Sequence, residues 1–198
     1  MTNAPTILLL HSALGLRPAV TRFADQLRER GYDVVSPDYY DGSVFDDTCA
    51  GLSHRDDVGP AQLLKRVRPI VDQIPEDTVL AGFSLGAAFA QRLAADRPDA
   101  RAVILMHSVA APRDGAWPGQ PVQVHRYAED PFVAESDLVA LGEAVRGSGA
   151  SFEDFVTPGK GHLFTDTDLP DGDEKATAET IERIDALLRD SRHTTARG

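Results

Sequence analysis

The sequence predicts an α/β protein whose doubly wound, mostly parallel sheet of about six to seven strands carries helices on both faces. Apolar runs of strand length alternate along the chain with segments in which apolar residues recur at helical spacing. Such alternation is typical of βαβ units, whose connecting helices make neighbouring strands parallel. The 198 residues can build one core. We therefore expect a single domain over residues 1–190 and a frayed tail at 191–198.

The first half of the chain contains two strands, two helical segments and an irregular connection. "TILLLH" is the first strand, and the helix after it ends at Gly31, where a glycine often terminates a helix. "YDVVSPD" is the second strand. Residues 41–59 lack an apolar period and contain many turn formers, which predicts a long loop of functional interest. A helical face then runs from Leu63 to Ile74, and we expect Pro69 to kink that helix or to divide it.

The second half continues the alternation. "DTVLAGF" is the third strand, and the small, apolar helix "LGAAFAQRLAA" follows Ser84. "RAVILMHS" and "PVQVHRY" are the fourth and fifth strands. A helix containing Leu138 and Val145 precedes the sixth strand, "ASFEDFV", and the chain closes with an amphipathic helix around Ile181. The predicted order is β-α-β-α-β-α-β-β-α-β-α.

The charge and cysteine content narrow the possible functions. Thirty-one acidic against 20 basic residues give a net charge of -11, which disfavours nucleic acid and anionic membranes as partners. The single cysteine, Cys49, excludes an intrachain disulfide and a cysteine-built metal site. The apolar run Ile7 to Leu10 is too short for a signal-peptide core or a membrane span. We expect a cytoplasmic protein that uses no metal or cofactor and acts on a small molecule.

The stretch "LAGFSLGAAFA", residues 80–90, contains the pattern G-x-S-x-G around Ser84. Because it follows a strand and opens a helix directly, the turn must be tight, and Gly82 and Gly86 leave room for it. This turn would lift the Ser84 hydroxyl to the carboxyl edge of the sheet, where open α/β sheets bind ligands. The alternative is that Ser84 caps the helix. The spacings typical of phosphate-binding loops are missing.

A serine nucleophile needs a general base, and in such a fold the expected chain order is serine, acid, histidine. Four histidines follow Ser84. His193 falls in the tail, His125 lies within a strand, and His107 ends the fourth strand and so only borders the site. His162, in "TPGKGHLF" just past the sixth strand, is the candidate base. The alternative for it is a solvated loop histidine.

The orienting acid is expected at the end of the fifth strand. Asp130 opens the next loop at a proline and is preferred, with Glu129 as the fallback. An oxyanion hole needs two backbone N–H groups. The candidates are Leu85, directly after the nucleophile, and Ala13 in the loop after the first strand.

These residues lie in four short motifs that resemble those of the dienelactone hydrolase family, over about residues 5 to 190. "SPDYY" resembles P-D-L-Y, "GFSLGA" resembles G-F-C-x-G-G, "EDPFV" resembles D-x-F-V, and "GKGHLF" resembles G-x-G-H-x-F. The resemblance implies the α/β-hydrolase fold, with Ser84 as nucleophile, Asp130 as orienting acid and His162 as base. No insertion is long enough for a large lid.

Two positions depart from the family pattern. The namesake enzymes carry a cysteine where this chain has Ser84, and a glutamate at the place of Ser12. The two changes agree, because a serine is activated by its histidine and needs no second carboxylate. Arg55 could hold a substrate carboxylate, as an arginine does in those enzymes, although a solvated loop arginine is the alternative. Tyr39 and Tyr40 are candidates for the pocket wall, and core packing is the alternative for both.

The sequence thus predicts a cofactor-free serine hydrolase that cleaves a carboxylic ester, lactone or thioester of a small soluble substrate through an acyl-enzyme intermediate. Two alternatives use the same fold. One is a binding protein without chemistry, and the other is an acyltransferase or perhydrolase with the same three catalytic residues.

Overall fold

The computed structural model describes residues 4–195, with the side chains of residues 4–189. The strands are β1 (Thr6–Leu10), β2 (Asp33–Val35), β3 (Val79–Phe83), β4 (Val103–Met106), β5 (Val122–Glu129) and β6 (Phe152–Lys160). The helices are α1 (Pro18–Glu29), α2 (Thr48–Val58), α3 (Pro60–Val71), α4 (Leu85–Ala94), α5 (Glu135–Gly147) and α6 (Glu174–Thr195). The strands form one six-stranded sheet in the order β2-β1-β3-β4-β5-β6.

Every pair of neighbouring strands in this sheet is parallel, and helices cover both faces. On one face α1 and α6 pack through residues such as Phe23 and Ile181, and on the other α3, α4 and α5 pack through residues such as Leu63 and Leu141. Since both faces are covered, Ile7 to Leu10 are fully buried, which explains the continuous apolar run of this strand. The predicted fold class is confirmed.

The long loop predicted at 41–59 is wrong in its second half, which forms α2. Asp47 caps this helix by accepting the N–H of Ala50 at 2.9 Å. Its one buried residue is Gly51, and a Cβ built there would lie 2.4 Å from the Ala13 carbonyl oxygen. A helix whose only fully buried residue is a glycine has no apolar stripe, so periodicity cannot reveal it.

Of the two outcomes expected for Pro69, a kink or a division of its helix, the division does not occur. α3 is continuous over Pro60–Val71 and ends two residues after Pro69. A proline in the last turn removes one hydrogen bond close to a helix end, where the helix is about to stop.

The C-terminal helix extends beyond the predicted domain limit at residue 190, because α6 continues to Thr195. The last three residues of the predicted tail, 196–198, lie outside the described residues. Within residues 4–195, no helix combines the length and the apolar character that crossing a bilayer requires.

Candidate active site

Ser84 occupies a strained turn between β3 and α4. Its backbone has φ 51° and ψ -108°, a region that a residue other than glycine rarely adopts. The Ser84 N–H donates to the Met106 carbonyl oxygen at 2.7 Å, which ties the turn to β4. The side chain makes no capping hydrogen bond to α4. Helix capping therefore does not explain this serine.

Two glycines allow the turn to be this tight. A Cβ built on Gly82 would lie 2.2 Å from the carbonyl carbon of Gly86, and one built on Gly86 would lie 2.2 Å from the Leu10 carbonyl oxygen. The start of α4 therefore rests directly on the backbones of β3 and β1. This contact places Ser84 at the carboxyl edge of the sheet, beside the loop that follows β1.

The structure brings together Ser84, His162 and Asp130. The Ser84 Oγ lies 2.8 Å from Nε2 of His162, and Nδ1 of His162 lies 2.9 Å and 3.0 Å from the two carboxylate oxygens of Asp130. A proton on Nδ1, donated to Asp130, leaves the lone pair of Nε2 facing the serine hydroxyl. This is the tautomer that a general base requires.

Asp130 is placed by the end of β5 and by its own loop. Its side chain is fully buried, and one carboxylate oxygen accepts the N–H of Phe132 at 2.9 Å. Glu129, the fallback acid, is exposed, and its carbonyl oxygen binds the N–H of Gly161. The ring of Phe132 covers the imidazole of His162, with centroids 4.4 Å apart.

The two candidate oxyanion donors lie beside the serine. Ala13 and Leu85 line the same cavity as Ser84. Leu85 is the first residue of α4, where the N–H has no partner within the helix. In the loop after β1, the hydroxyl of Ser12 accepts the N–H of Leu14 at 3.1 Å. In the described part of the chain, the N–H groups of Ala13 and Leu85 have no acceptor.

The cavity in front of Ser84 has a volume of about 170 Å³. Its wall is formed partly by α2, the helix that the sequence analysis missed. Besides the residues named above, the lining residues are Leu14, Thr48, Leu52, Arg55, Ala88, Ser108 and Leu163. The guanidinium of Arg55 lies 2.7 Å from the carboxylate of Asp56, and its side chain is 30% exposed. Arg55 thus stands at the cavity wall, paired with its neighbour.

Tyr39 and Tyr40 require a correction, because neither lines the cavity. Both are buried in the core. The Tyr39 ring stacks on His11 with centroids 3.7 Å apart, and its hydroxyl donates to the His11 carbonyl oxygen. Burial raises the pKa of Tyr40 to about 12. The two tyrosines support the loop after β1 from behind, through their contacts with His11.

His107 lies behind the candidate base. It directly follows β4, with φ 68°, and its ring centroid is 5.9 Å from that of His162. Its Nε2 shares a 2.8 Å hydrogen bond with the hydroxyl of Thr165. Burial lowers the pKa of His107 well below its ordinary value. His107 is therefore neutral at neutral pH and holds the loop that carries His162.

Sequence reasoning missed two further residues that hold this loop. Arg17 is buried, and its Nε donates to Asp166 at 2.6 Å while Nη1 donates to the Phe45 carbonyl oxygen at 2.9 Å. Arg17 thereby links the loop after β6 to the connection after β2. The carboxylate of Asp171 binds the backbone of His162. Neither residue belongs to a motif or an apolar period, so the sequence carried no signal for them.

A parallel sheet of this order, with a serine on the β3–α4 turn and an acid and a histidine after β5 and β6, defines an α/β hydrolase fold. The model of the dienelactone hydrolase family matches residues 1–191. The chain therefore belongs to that family, as the motif resemblance indicated. A comparison with curated proteins gave no match.

Solved structures agree with this fold. A dienelactone hydrolase-like promiscuous phosphotriesterase from metagenomic libraries is 21% identical, with a TM-score of 0.79 over 96% of this chain and 88% of that one. Thermogutta terrifontis esterase 2, phosphorylated by paraoxon, is 18% identical, with a TM-score of 0.69 over 95% of this chain and 83% of that one. At such identities the similarity supports the fold alone. The neighbours thus support the α/β hydrolase fold, and membership of the family supports a hydrolase.

Proposed function

We propose that this protein is a serine hydrolase that cleaves a carboxylic ester, lactone or thioester of a small soluble substrate through an acyl-enzyme intermediate. One observation carries the proposal: the Oγ of Ser84 lies 2.8 Å from Nε2 of His162, whose Nδ1 lies 2.9 Å from buried Asp130. A serine, a base and an orienting acid in continuous hydrogen-bond contact form the arrangement that activates a hydroxyl.

In the acylation step, the Ser84 Oγ attacks the substrate carbonyl carbon while Nε2 of His162 accepts the hydroxyl proton. Asp130 stabilises the imidazolium that forms. The N–H groups of Ala13 and Leu85 bind the developing oxyanion. The imidazolium then gives its proton to the leaving oxygen or sulfur, the carbonyl re-forms, and the acyl group stays on Ser84.

In the deacylation step, a water molecule takes the place of the leaving group. His162 removes a proton from this water, which attacks the acyl carbon, and the same two N–H groups hold the second oxyanion. Collapse of that intermediate returns the proton to the Ser84 Oγ and releases the carboxylic acid. Protons and charges balance in both steps.

The cavity favours small substrates. Its volume of about 170 Å³ lies below the range of about 300–1,000 Å³ typical of pockets for drug-sized ligands. Leu14, Leu52 and Leu163 offer apolar contact to a short acyl or alcohol group. Arg55, at the wall, is the candidate partner for a substrate carboxylate. The net charge of -11 agrees with a small-molecule partner in place of nucleic acid.

An organophosphate is a second candidate substrate because it would react at the same serine. One structural neighbour is described as a promiscuous phosphotriesterase, and another was captured after phosphorylation by paraoxon. Attack of the Ser84 Oγ on the phosphorus of paraoxon, with transfer of the hydroxyl proton to His162 and departure of 4-nitrophenolate, would form a diethyl phosphate ester on Ser84, whose hydrolysis determines whether turnover follows. Paraoxon therefore serves both as a trial substrate and as a titrant of Ser84.

The test is a panel of short acyl 4-nitrophenyl esters, lactones and thioesters, assayed with the wild-type protein and Ser84→Ala. Ser148→Ala, at the end of α5, is the matched control. We expect hydrolysis by the wild type and by the control, its loss in Ser84→Ala, and fluorophosphonate labelling of Ser84 located by peptide mass spectrometry. Unchanged hydrolysis in Ser84→Ala would refute the proposed nucleophile. Faster acyl transfer to alcohols or peroxide than to water would favour the acyltransferase or perhydrolase alternative.

A further inference from the structure

One carboxylate oxygen holds the backbone on both sides of the candidate base. Oδ2 of Asp171 accepts the N–H of His162 at 2.7 Å and the N–H of Leu163 at 3.1 Å. These two N–H groups belong to the two peptide planes that flank the His162 Cα. Because the orientations of both planes fix the direction of the Cα–Cβ bond, this double contact sets the direction in which the imidazole leaves the backbone.

The loop that presents His162 has no other regular support at this point. His162 and Leu163 lie after β6 and before α6, outside both elements. No backbone carbonyl in the described chain accepts either N–H. The Asp171 carboxylate therefore accepts the two N–H groups that a backbone carbonyl would accept in a strand or a helix.

Asp171 is itself fixed in place. Its carbonyl oxygen accepts the hydroxyl of Tyr127 at 2.8 Å, which ties it to β5. A Cβ built on Gly161 would lie 2.9 Å from the Asp171 Cβ and 2.7 Å from the Tyr127 ring. The glycine before His162 is thus what lets Asp171 approach the backbone this closely.

We propose that Asp171 is a positioning residue for the base, which holds the His162 backbone so that Nε2 points at the Ser84 Oγ. The proposal rests on the proposed function, in which the geometry of that pair controls the rate. A misplacement of about 1 Å in such a pair costs on the order of 10²-fold in rate. Asp171 acts through His162 and does not contact the substrate.

Asp171→Ala and Asp171→Asn separate the geometric role from a general loss of structure. Alanine removes the acceptor, whereas the amide oxygen of asparagine still accepts both N–H groups. We expect Asp171→Ala to lower kcat about 10- to 100-fold with KM within twofold, and Asp171→Asn to retain kcat within about fivefold. The matched control is Asp168→Ala, because Asp168 lies on the same loop but pairs with Arg22 at the surface.

A second measurement does not depend on turnover. The proton that Nδ1 of His162 donates to Asp130 gives a far-downfield proton NMR signal, which His162→Gln identifies by removing it. We expect this signal in the wild type, in Asp171→Asn and in Asp168→Ala, and its loss or displacement in Asp171→Ala. If Asp171→Ala does not fold, Gly161→Ala provides the same test, because its Cβ displaces Asp171 while keeping the carboxylate.

The outcomes separate the two proposals. Absence of ester hydrolysis and of fluorophosphonate labelling in the wild type would overturn the proposed function, but the NMR signal would still test the position of His162. An unchanged signal together with an unchanged kcat in Asp171→Ala would overturn the positioning role. Equal losses of kcat in Asp171→Ala and Asp171→Asn would overturn it as well, since the asparagine keeps the acceptor.

Discussion

Lowering the pH from 7.5 to 5 is expected to destabilise the folded protein through its buried histidines. His11 and His125 have no solvent exposure. Burial, which disfavours the charged imidazolium, lowers the pKa of His11 to about 4 and that of His125 to about 3. An unfolded histidine has a pKa of about 6.5. Between these pKa values the two histidines are protonated in the unfolded chain and neutral in the folded protein. Their contribution to the free energy of unfolding is therefore complete above about pH 6.5 and is lost as the pH falls towards 4.

The size of this loss of stability at pH 5 depends mainly on how strongly the histidines are protonated in the unfolded state. At pH 5 an unfolded histidine is about 30-fold more often protonated than neutral, which stabilises the unfolded chain by about 2 kcal/mol for each histidine. A folded pKa anywhere below about 4.5 leaves this figure nearly unchanged. His11 and His125 together remove about 4 kcal/mol, a large share of the roughly 5–15 kcal/mol by which small domains are stable. His107, whose pKa burial also lowers, adds to this loss.

The assay is urea unfolding at pH 7.5, 6 and 5, followed by the fluorescence of Trp117, which is buried in the core. His125→Gln removes one titrating group and is expected to reduce the change in unfolding free energy between pH 7.5 and 5 by about 2 kcal/mol. Leu141→Ala is the control. It removes a buried side chain from the core on the other face of the sheet and should shift stability equally at every pH. If His125→Gln kept the full pH dependence of the wild type, the reasoning would be refuted.

Three further substitutions test how the site is built. Gly86→Ala places a Cβ 2.2 Å from the Leu10 carbonyl oxygen. It should cost about 1–3 kcal/mol of stability and abolish fluorophosphonate labelling. In its control, Gly147→Ala, the Cβ meets nothing within 4 Å, so the melting temperature should be unchanged or higher. Asp130→Asn should leave the fold intact but lower kcat about 10³- to 10⁴-fold through the wrong histidine tautomer, while Glu129→Gln at the exposed neighbouring position should have little effect; similar kcat values for the two would contradict the assignment of the acid. Arg17→Ala leaves the Asp166 carboxylate buried without its partner and should lower the free energy of unfolding in urea by about 3–5 kcal/mol. Adding Asp166→Ala to this variant should restore most of the lost stability. A double variant no more stable than Arg17→Ala would contradict the pairing.

The sequence predicted those strands and helices in which buried positions follow a regular pattern of apolar residues. β1 and β3 are covered on both faces and read as unbroken apolar runs, and α1 and α6 each bury one stripe. α2 escaped prediction because Gly51 is its only fully buried residue. Its other core contacts come from half-buried His54, which packs on Tyr40, and from half-buried Val58, so neither spacing nor hydropathy distinguishes the helix from a polar loop.

The candidate site divides in the same way. The positions of Ser84, Asp130 and His162 follow from where strands end, because the carboxyl ends of parallel strands meet at one edge of the sheet. The contacts of Asp171 and Arg17 depend on how irregular segments fold against each other. A carboxylate that accepts the N–H groups of two consecutive residues, as that of Asp171 does, cannot be recognised from the composition of the sequence or the spacing of its residues.

Each part of the candidate site is held in place by contacts that do not involve the side-chain atoms proposed to react. Contact between the start of α4 and the backbone of β1 fixes the Ser84 turn. The Asp171 carboxylate fixes the His162 backbone, and the Ser12 hydroxyl shapes the loop after β1 by accepting the N–H of Leu14. We expect a frame of this kind to tolerate a cysteine at position 84, because the backbone makes the contacts that hold the turn. Where the namesake enzymes carry a cysteine and a glutamate, this chain carries two serines, and Ser12 has a structural task in which a glutamate is not needed. The departure from the family pattern therefore agrees with a different way of activating the proposed nucleophile.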